Sequence, residues 1–300
     1  MTDLSALKRD AIAYADDMGF DDQPNPTPIP GLSLVRSRGP TEFDVIDYQP
    51  IFCLVLQGAK QCVLGDKPLT FSEGQSLIVS LDLPASGRVV TASRGTPYLA
   101  LALELDLAIL RDVAAELDAK AIPTELEADH VCSAMTVTPT DPALVAAMGR
   151  LFDLHRSPED ARALAPLVIR EIHYRLLRSR DGVLLKAQLR PDTHAHRIAR
   201  AIARIRRDYS SALRVPELAR DAGMSHSAFH EHFRALTGTT PLQYQKSMRL
   251  MEARRQLQGG AGNVSSIAFA VGYESPTQFS REYSRKFGVS PRTDRLSTSS

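Results

Sequence analysis

Residues 4–18 (LSALKRDAIAYADDM) space their apolar positions as a short helix does, and the proline-rich stretch 24–30 that follows cannot extend it. From 31 to 106 the period changes. Short apolar or alternating runs (LSLV, FDVI, IFCLVL, KQCVLG, SLIVS, GRVVTA, YLALALEL) recur between turn signals at Gly58, Gly65-Asp66, Gly74 and Gly87. Many short strands at near-regular spacing predict a small β-sandwich or barrel of the jelly-roll kind. Helical periodicity returns at 107–118, 141–154 and 163–179, with one more strand expected at 131–137 (VCSAMTV). The expected fold class is a multidomain α+β chain: a β-barrel or jelly-roll with following helices, then an all-α domain. The expected boundaries are 1–30 for the first helix and its connection, 31–190 for the barrel with its helices, and 191–300 for the all-α part.

Composition narrows the class. With 43% apolar and 24% charged residues over 300 positions, the chain can bury a sizeable core, which excludes a disordered or fibrous protein. No apolar run reaches the length of a membrane span, and the start (MTDLSALKRD) has no charged-then-apolar leader, so a cytoplasmic, non-membrane protein is expected. Three cysteines, Cys53, Cys62 and Cys132, form neither a disulfide framework nor a C-x-x-C pair. Charge is divided unevenly: from 191 onward there are 17 Lys and Arg against 9 Asp and Glu, whereas the rest has 19 against 26. A basic C-terminal third suits a polyanion, because cations beside phosphates release condensed counterions.

The same third contains an internal repeat. LARDAGMSHSAFHEHFRALTGTTP aligns with IAFAVGYESPTQFSREYSRKFGVSP, placing Leu218, Ala219, Gly223, Phe229, Phe233, Gly238 and Pro241 on Ile267, Ala268, Gly272, Phe279, Tyr283, Gly288 and Pro291. Each copy, at about 213–238 and 264–288, reads as a short helix, a glycine turn and a second helix opening at a serine: a helix-turn-helix unit. In the first recognition helix Phe229, Phe233 and Leu236 form the inward stripe, leaving Ser227, His230, Glu231 and Arg234 outside. In the second, Thr277, Ser280, Arg281 and Arg285 face outward with Gln278 at the margin. Arginine bonds guanine bidentately, glutamine bonds adenine and a carboxylate accepts from cytosine, so these side chains suit groove reading, Arg281 best of all. Glu231 has a second reading, as an intrahelical partner of Arg234. A strut of helix formers, 241–258, joins the units. At about 1.5 Å per residue it spans about 27 Å, and Arg249, Arg254 and Arg255 on it read as solvated or phosphate-contacting.

These stretches, with "PLQYQKSMRLMEARRQL" between them, resemble the AraC/XylS DNA-binding domain. "FCLVLQGAKQCVLGDKPLTFSEGQSLIVSLDLPASGRVV" and "PLVIREIHYRLLRS" are similar to the cupin-like N-terminal domain of one AraC subgroup. The resemblance implies a transcription regulator. Its first domain senses a small-molecule effector or dimerises; its second binds double-stranded promoter DNA and contacts RNA polymerase, base-reading helices falling on 227–234 and 276–285. His230 and Glu231 stand where many members carry Gln and Arg, which shifts base readout toward the second unit or toward a different base.

The barrel leaves two readings open. Cupin-type enzymes hold a metal with histidines and a carboxylate; between 31 and 106 there is no histidine, and no catalytic motif or cofactor fingerprint occurs in the chain. No catalytic residue, metal or cofactor is therefore expected, and an accessory-domain enzyme or small-molecule binder remains the alternative. Phe43, Ile46, Phe52, Leu54, Leu56, Val63 and Leu77 are expected either to line a pocket or to pack as core. Cys53 and Cys62, on consecutive expected strands, are effector or redox candidates beside the reading as buried structural thiols. The resemblance adds electrophile-sensing relatives to the first reading. Apolar positions 164, 168, 172, 176 and 177 form a stripe that either pairs two copies or docks on the barrel.

Overall fold

In the computed structural model, residues 3–20, 22, 24–118, 133–179, 182–191 and 193–297 are described. Among these residues ten antiparallel strands form two facing sheets. The first has the order β1 (Pro24–Pro26), β2 (Leu32–Ser37), β9 (Tyr98–Glu104), β4 (Ile51–Gln57), β7 (Gln75–Val79), β10 (Met135–Pro139). The second runs β3 (Asp44–Tyr48), β8 (Leu83–Thr91), β5 (Ala59–Leu64), β6 (Lys67–Ser72). This is the jelly-roll-like layout that the strand spacing predicts. Two strands go beyond that reading: β1 and β6 carry prolines, which a ladder tolerates at the edge positions that both occupy. Of the expected strand 131–137, residues 131 and 132 and with them Cys132 lie outside the described residues, and β10 begins at Met135.

The central strands β4 and β9 are buried on both faces, which explains their unbroken apolar runs. Phe52, Leu54 and Leu56 point away from the second sheet, into a core shared with α1 (Leu4–Asp17), α2 (Leu107–Asp118), α3 (Pro142–Asp153) and α4 (Pro158–Arg178). Cys53 and Val55 point inward, toward the second sheet. Ser157 caps α4, which docks through Ile172, Leu176 and Leu177 onto its own domain, while Leu164 and Leu167 stay 44% and 64% exposed. His173, fully buried on the same helix, accepts at Nε2 from the Asp106 amide (2.9 Å) and donates from Nδ1 to the Ile169 carbonyl (2.7 Å).

Among the described residues eight further α-helices follow: α5 (Gly182–Leu189), α6 (His194–Arg207), α7 (Val215–Asp221), α8 (His226–Thr237), α9 (Pro241–Gln258), α10 (Val264–Ala270), α11 (Pro276–Phe287) and α12 (Pro291–Ser297). The interior of the sandwich and the packing of α6, α7 and α8 make one continuous apolar core, from Leu81 and Leu83 to Ile198, Ile202, Phe229 and Phe233. Polar bonds fasten the same junction. Arg206 on α6 reaches both carboxylate oxygens of Asp47 on β3 (2.8 and 2.9 Å) and lies 3.8 Å from Asp82. Tyr244 donates to the Asp82 carbonyl (2.7 Å), and the Ala134 amide donates to the Leu236 carbonyl (3.0 Å). The hairpin turn at Gly65 meets the end of α8 so closely that a Cβ there would stand 2.2 Å from the Gly238 carbonyl oxygen. Among the described residues no helix is long and apolar enough to cross a membrane.

Arg206→Ala leaves Asp47 and Asp82 without their cation at a half-buried junction. It is expected to destabilise the folded chain by about 2 kcal/mol, the scale of lost charge-assisted hydrogen bonds, measured by urea unfolding. Burial holds the His173 pKa below its ordinary value, against the pull of Ile169 and Asp106. The folded chain thus binds fewer protons than the unfolded one, so this contribution is complete above the unfolded pKa of about 6.5 and declines as pH falls below it. Unfolding midpoints compared at about pH 7.5 and about pH 5.5 should fall, and by less in His173→Gln.

Candidate nucleic-acid interface and cavity

Two helix-turn-helix units are built alike. In the first, Gly223 turns the chain at φ +63° after α7, Ser225 Oγ accepts from the Ala228 amide (3.2 Å) to cap α8, and Gly238 ends it at φ +69°. In the second, Gly272 turns the chain at φ +92° after α10, and Ser275 Oγ accepts from the Gln278 amide (3.3 Å) to open α11. Gly272 is fixed twice over, since a Cβ there would lie 2.1 Å from the Ser210 carbonyl oxygen. Phe229 and Phe233 fill the first core, Phe279 and Tyr283 the second. The strut α9 is embedded at both ends, Tyr244 and Met248 in the first core and Leu250, Ala253 and Leu257 in the second.

On α8, Ser227, Glu231 and Arg234 are exposed and His230 is half-buried, its ring 4.6 Å from that of His226. The intrahelical pair of Glu231 with Arg234 does not form among the described residues, so both side chains face solvent. On α11, Thr277, Gln278, Arg281 and Arg285 are exposed; Ser280 is half-buried and donates to the Pro276 carbonyl (2.8 Å). Arg281 and Arg285 make no hydrogen bond or ion pair among the described residues. Gln278 leans on Glu282 (3.1 Å), a buried carboxylate that also accepts from Lys246 (3.0 Å) and Tyr273 (2.9 Å). Burial opposes the charge of Glu282, but these three bonds outweigh it and hold its pKa below the ordinary carboxylate value. The arrangement pins the start of α11 to α9. Sequence reading passes over it, because Lys246 and Tyr273 belong to other elements.

Two of the three strut arginines depart from the expectation. Arg249 binds the carbonyls of Tyr209, Ser210, Ser211 and Gly272; Arg254 pairs with Asp294 (3.0 Å) and with Asp44 on β3 (2.5 Å); Arg255 pairs with Glu252 (2.7 Å). Arg249 and Arg254 hold the domain together instead of facing solvent or a phosphate, whereas Arg255, 74% exposed and paired within its own helix, is solvated as the sequence leads one to expect.

A cavity of about 690 Å³ opens between the two sheets. Its lining includes Val35, Ile46, Ile51, Phe71 and Leu77, with Tyr48, Tyr98, Cys53 and Lys60 as polar members. Of the expected lining residues, Ile46 and Leu77 are there. Phe52, Leu54 and Leu56 are not, because the two-residue period turns them to the helix side, and Phe43 is 45% exposed under the Arg88 guanidinium. Cys53 and Cys62 do not face each other across a hairpin, since β4 and β5 belong to different sheets. Both are free and buried. Burial pushes the Cys53 thiol up to about 11 and raises that of Cys62, with Lys60 pulling the other way, so both stay protonated at neutral pH. Cys62 Sγ lies 3.0 Å from the Tyr48 hydroxyl. Among the described residues no group of three or more His, Cys, Asp or Glu could hold a metal ion.

Similarity to known proteins follows the same division. Residues 218–297 match the model of a helix-turn-helix domain. The HTH-type transcriptional activator RhaS of Yersinia pestis (strain Pestoides F) is 32% identical over 101 residues, 34% of this chain but only 37% of RhaS. A putative AraC-like transcription regulator of Streptomyces lividans is 35% identical over 94 residues, 31% of each chain. The chain thus spans little more than a third of these curated relatives. Among solved structures, apo ToxT from Vibrio cholerae aligns over 91% of this chain and 99% of its own, with TM-score 0.56 and 10% identity. Wild-type ToxT with a bound unsaturated fatty acid aligns over 88% and 94%, with TM-score 0.55 and 9% identity. At that identity the likeness is one of fold, and it extends through the barrel and both helix-turn-helix units. Residues 28–184, half of the chain, match the model of the AraC-type transcriptional regulator N-terminus, and with the tandem units that follow, the chain belongs to the AraC-type transcriptional regulators.

Proposed function

We propose that this protein binds promoter DNA sequence-specifically, inserting α8 and α11 into successive major grooves on one face of the duplex, and that a small molecule in the barrel cavity controls it. The observation that carries this reading is the pair of serine-capped helices with exposed polar faces, set on one buried strut. About 27 Å of helix between units matches grooves about 34 Å apart once the widths of the units are added. Arg281 and Arg285 have their donors uncommitted, as guanine or phosphate contacts require. Ser227, His230, Glu231 and Arg234 read the other groove, with Glu231 suited to a cytosine amino group. Thr277 and Gln278 add contacts at the start of α11, and Ser280, with its hydroxyl bonded internally, gives close backbone approach.

Control by an effector rests on strand β3. Ile46 and Tyr48 face the cavity, while Asp47 and Asp44 on the same strand hold Arg206 of α6, which packs on the first unit, and Arg254 beside the second. A ligand that shifts β3 changes the seating of both units. RNA polymerase, recruited once the promoter is bound, is the further partner of this reading. A second copy, in this reading, docks at the end of α4, where Leu164 and Leu167 lie exposed.

Mapping DNA occupancy across the genome tests the reading. The wild type should give discrete promoter peaks that Arg281→Ala loses, with affinity for the peak sequence reduced about 5- to 150-fold, as expected for a bidentate guanine contact worth about 1–3 kcal/mol. An absence of discrete peaks, or peaks indifferent to Arg281→Ala and Arg285→Ala together, would count against it.

A further inference from the structure

Five of the eight histidines of the chain gather where α6 begins and along α8. His196 is engaged by the Gln188 carbonyl, 2.7 Å from its Nδ1. His194 and His232 lie face to face, ring centres 4.1 Å apart and planes 18° from parallel, so their in-plane nitrogens point side by side and do not converge. His226 and His230 are arranged otherwise. They stand four residues apart on one face of α8, with ring centres 4.6 Å apart and planes inclined at 53°. His226 is exposed and His230 half-buried, and neither imidazole makes a hydrogen bond among the described residues.

That separation is the separation of a chelate. Imidazole nitrogen binds zinc at about 2.0–2.1 Å, which puts each ring centre about 3.2 Å from the ion; two rings at right or tetrahedral angles then stand about 4.5–5.2 Å apart. Histidines at i and i+4 of a helix are also the pairing that helical zinc sites use. Both rings border one open pocket, whose other walls are residues 213–217 and Leu242, so the ion has room for water ligands. Glu217 adds a carboxylate to that wall, balanced by Arg214 at 3.2 Å. Two nitrogen donors suit Zn²⁺, Ni²⁺ or Cu²⁺ and not Mg²⁺ or Ca²⁺, which take oxygen ligands.

We propose that His226 and His230 chelate one divalent transition-metal ion of the zinc, nickel and copper class, with water completing its coordination, and that this ion competes with a base for His230. The competition deepens the reading of α8 as a base-reading helix and rests on it; the chelate does not. The charge of the ion attracts the phosphates of any duplex alike, whereas loss of His230 from the groove is felt only at the sequence it reads. Sequence preference therefore falls when the ion binds.

Zn²⁺, Ni²⁺ and Cu²⁺ are titrated calorimetrically into the full chain at neutral pH, with Mg²⁺ beside them. Metal binding is measured without DNA, so its failure is distinct from failure of promoter recognition. One ion per chain should bind, with affinity reduced on the order of tenfold or more in His226→Ala and in His230→Ala, because each removes one arm of the chelate. His194→Gln should leave it unchanged. Electron paramagnetic resonance of the Cu²⁺-loaded chain should show two imidazole nitrogens on the ion, and one in either alanine variant. The DNA arm compares the wild type with His226→Ala, whose ring lies outside the base-reading set. Saturating Zn²⁺ should lower the affinity for a peak sequence relative to a scrambled duplex on the order of tenfold, the scale of one lost base contact, and only in the wild type. Absence of metal binding, binding that survives both alanine variants, or a sequence preference of the wild type that zinc leaves untouched would overturn the proposal.

Discussion

The Arg206 guanidinium, gripped by Asp47 and set beside Asp82, is the contact on which the arrangement of this molecule turns. It closes the junction where the interior of the β-sandwich runs without a break into the core of the first helix-turn-helix unit. Burial at the junction makes the pairing specific as well as attractive, since an arginine removed from water there must find its carboxylates or leave them unanswered. The desolvation of Arg206 is met by Asp47, and the guanidinium pKa is raised in consequence. Around that contact Tyr244, Leu236 and the Gly65 turn fit edge to edge.

The two units are therefore not equivalent. The first shares its core with the barrel, whereas the second has a core of its own and reaches the barrel through Arg254 and Asp44. Strand β3 touches both through Asp44 and Asp47, four and one residues before Tyr48 in the cavity wall. A molecule that reads DNA with two helices needs their spacing held, and here the strut holds it, while β3 carries one ion pair to Arg206 and one to Arg254. The free arginines of α11 belong to the unit that is less tightly held, and the departures at His230 and Glu231 belong to the unit that is fused.

Much of this was legible in the residues. The tandem repeat, the two serine caps and the turn glycines are local chemistry, and the inward aromatic stripes follow from a 3.6-residue period that single helices obey. The jelly-roll follows from strand spacing. What could not be read is non-local. Cys53 and Cys62 are neighbours in sequence but belong to opposite sheets, because the chain crosses over between β4 and β5. Phe52, Leu54 and Leu56 are as apolar as any cavity-lining set, and only the helices stacked outside the first sheet explain why they face away. Arg249 and Arg254 look like solvated strut residues until their carbonyl and carboxylate partners, up to 210 positions away, are placed beside them. Lys60 passes for a surface lysine in an alternating strand.

Promoter recognition of the kind proposed requires both recognition helices of one chain to engage one face of the duplex together. Hydroxyl-radical footprinting on a bound promoter measures this most directly. Two protected patches about one helical turn apart on the same face, both present for a single chain, is the result predicted. Protection confined to one groove would contradict it and leave the second unit a structural element.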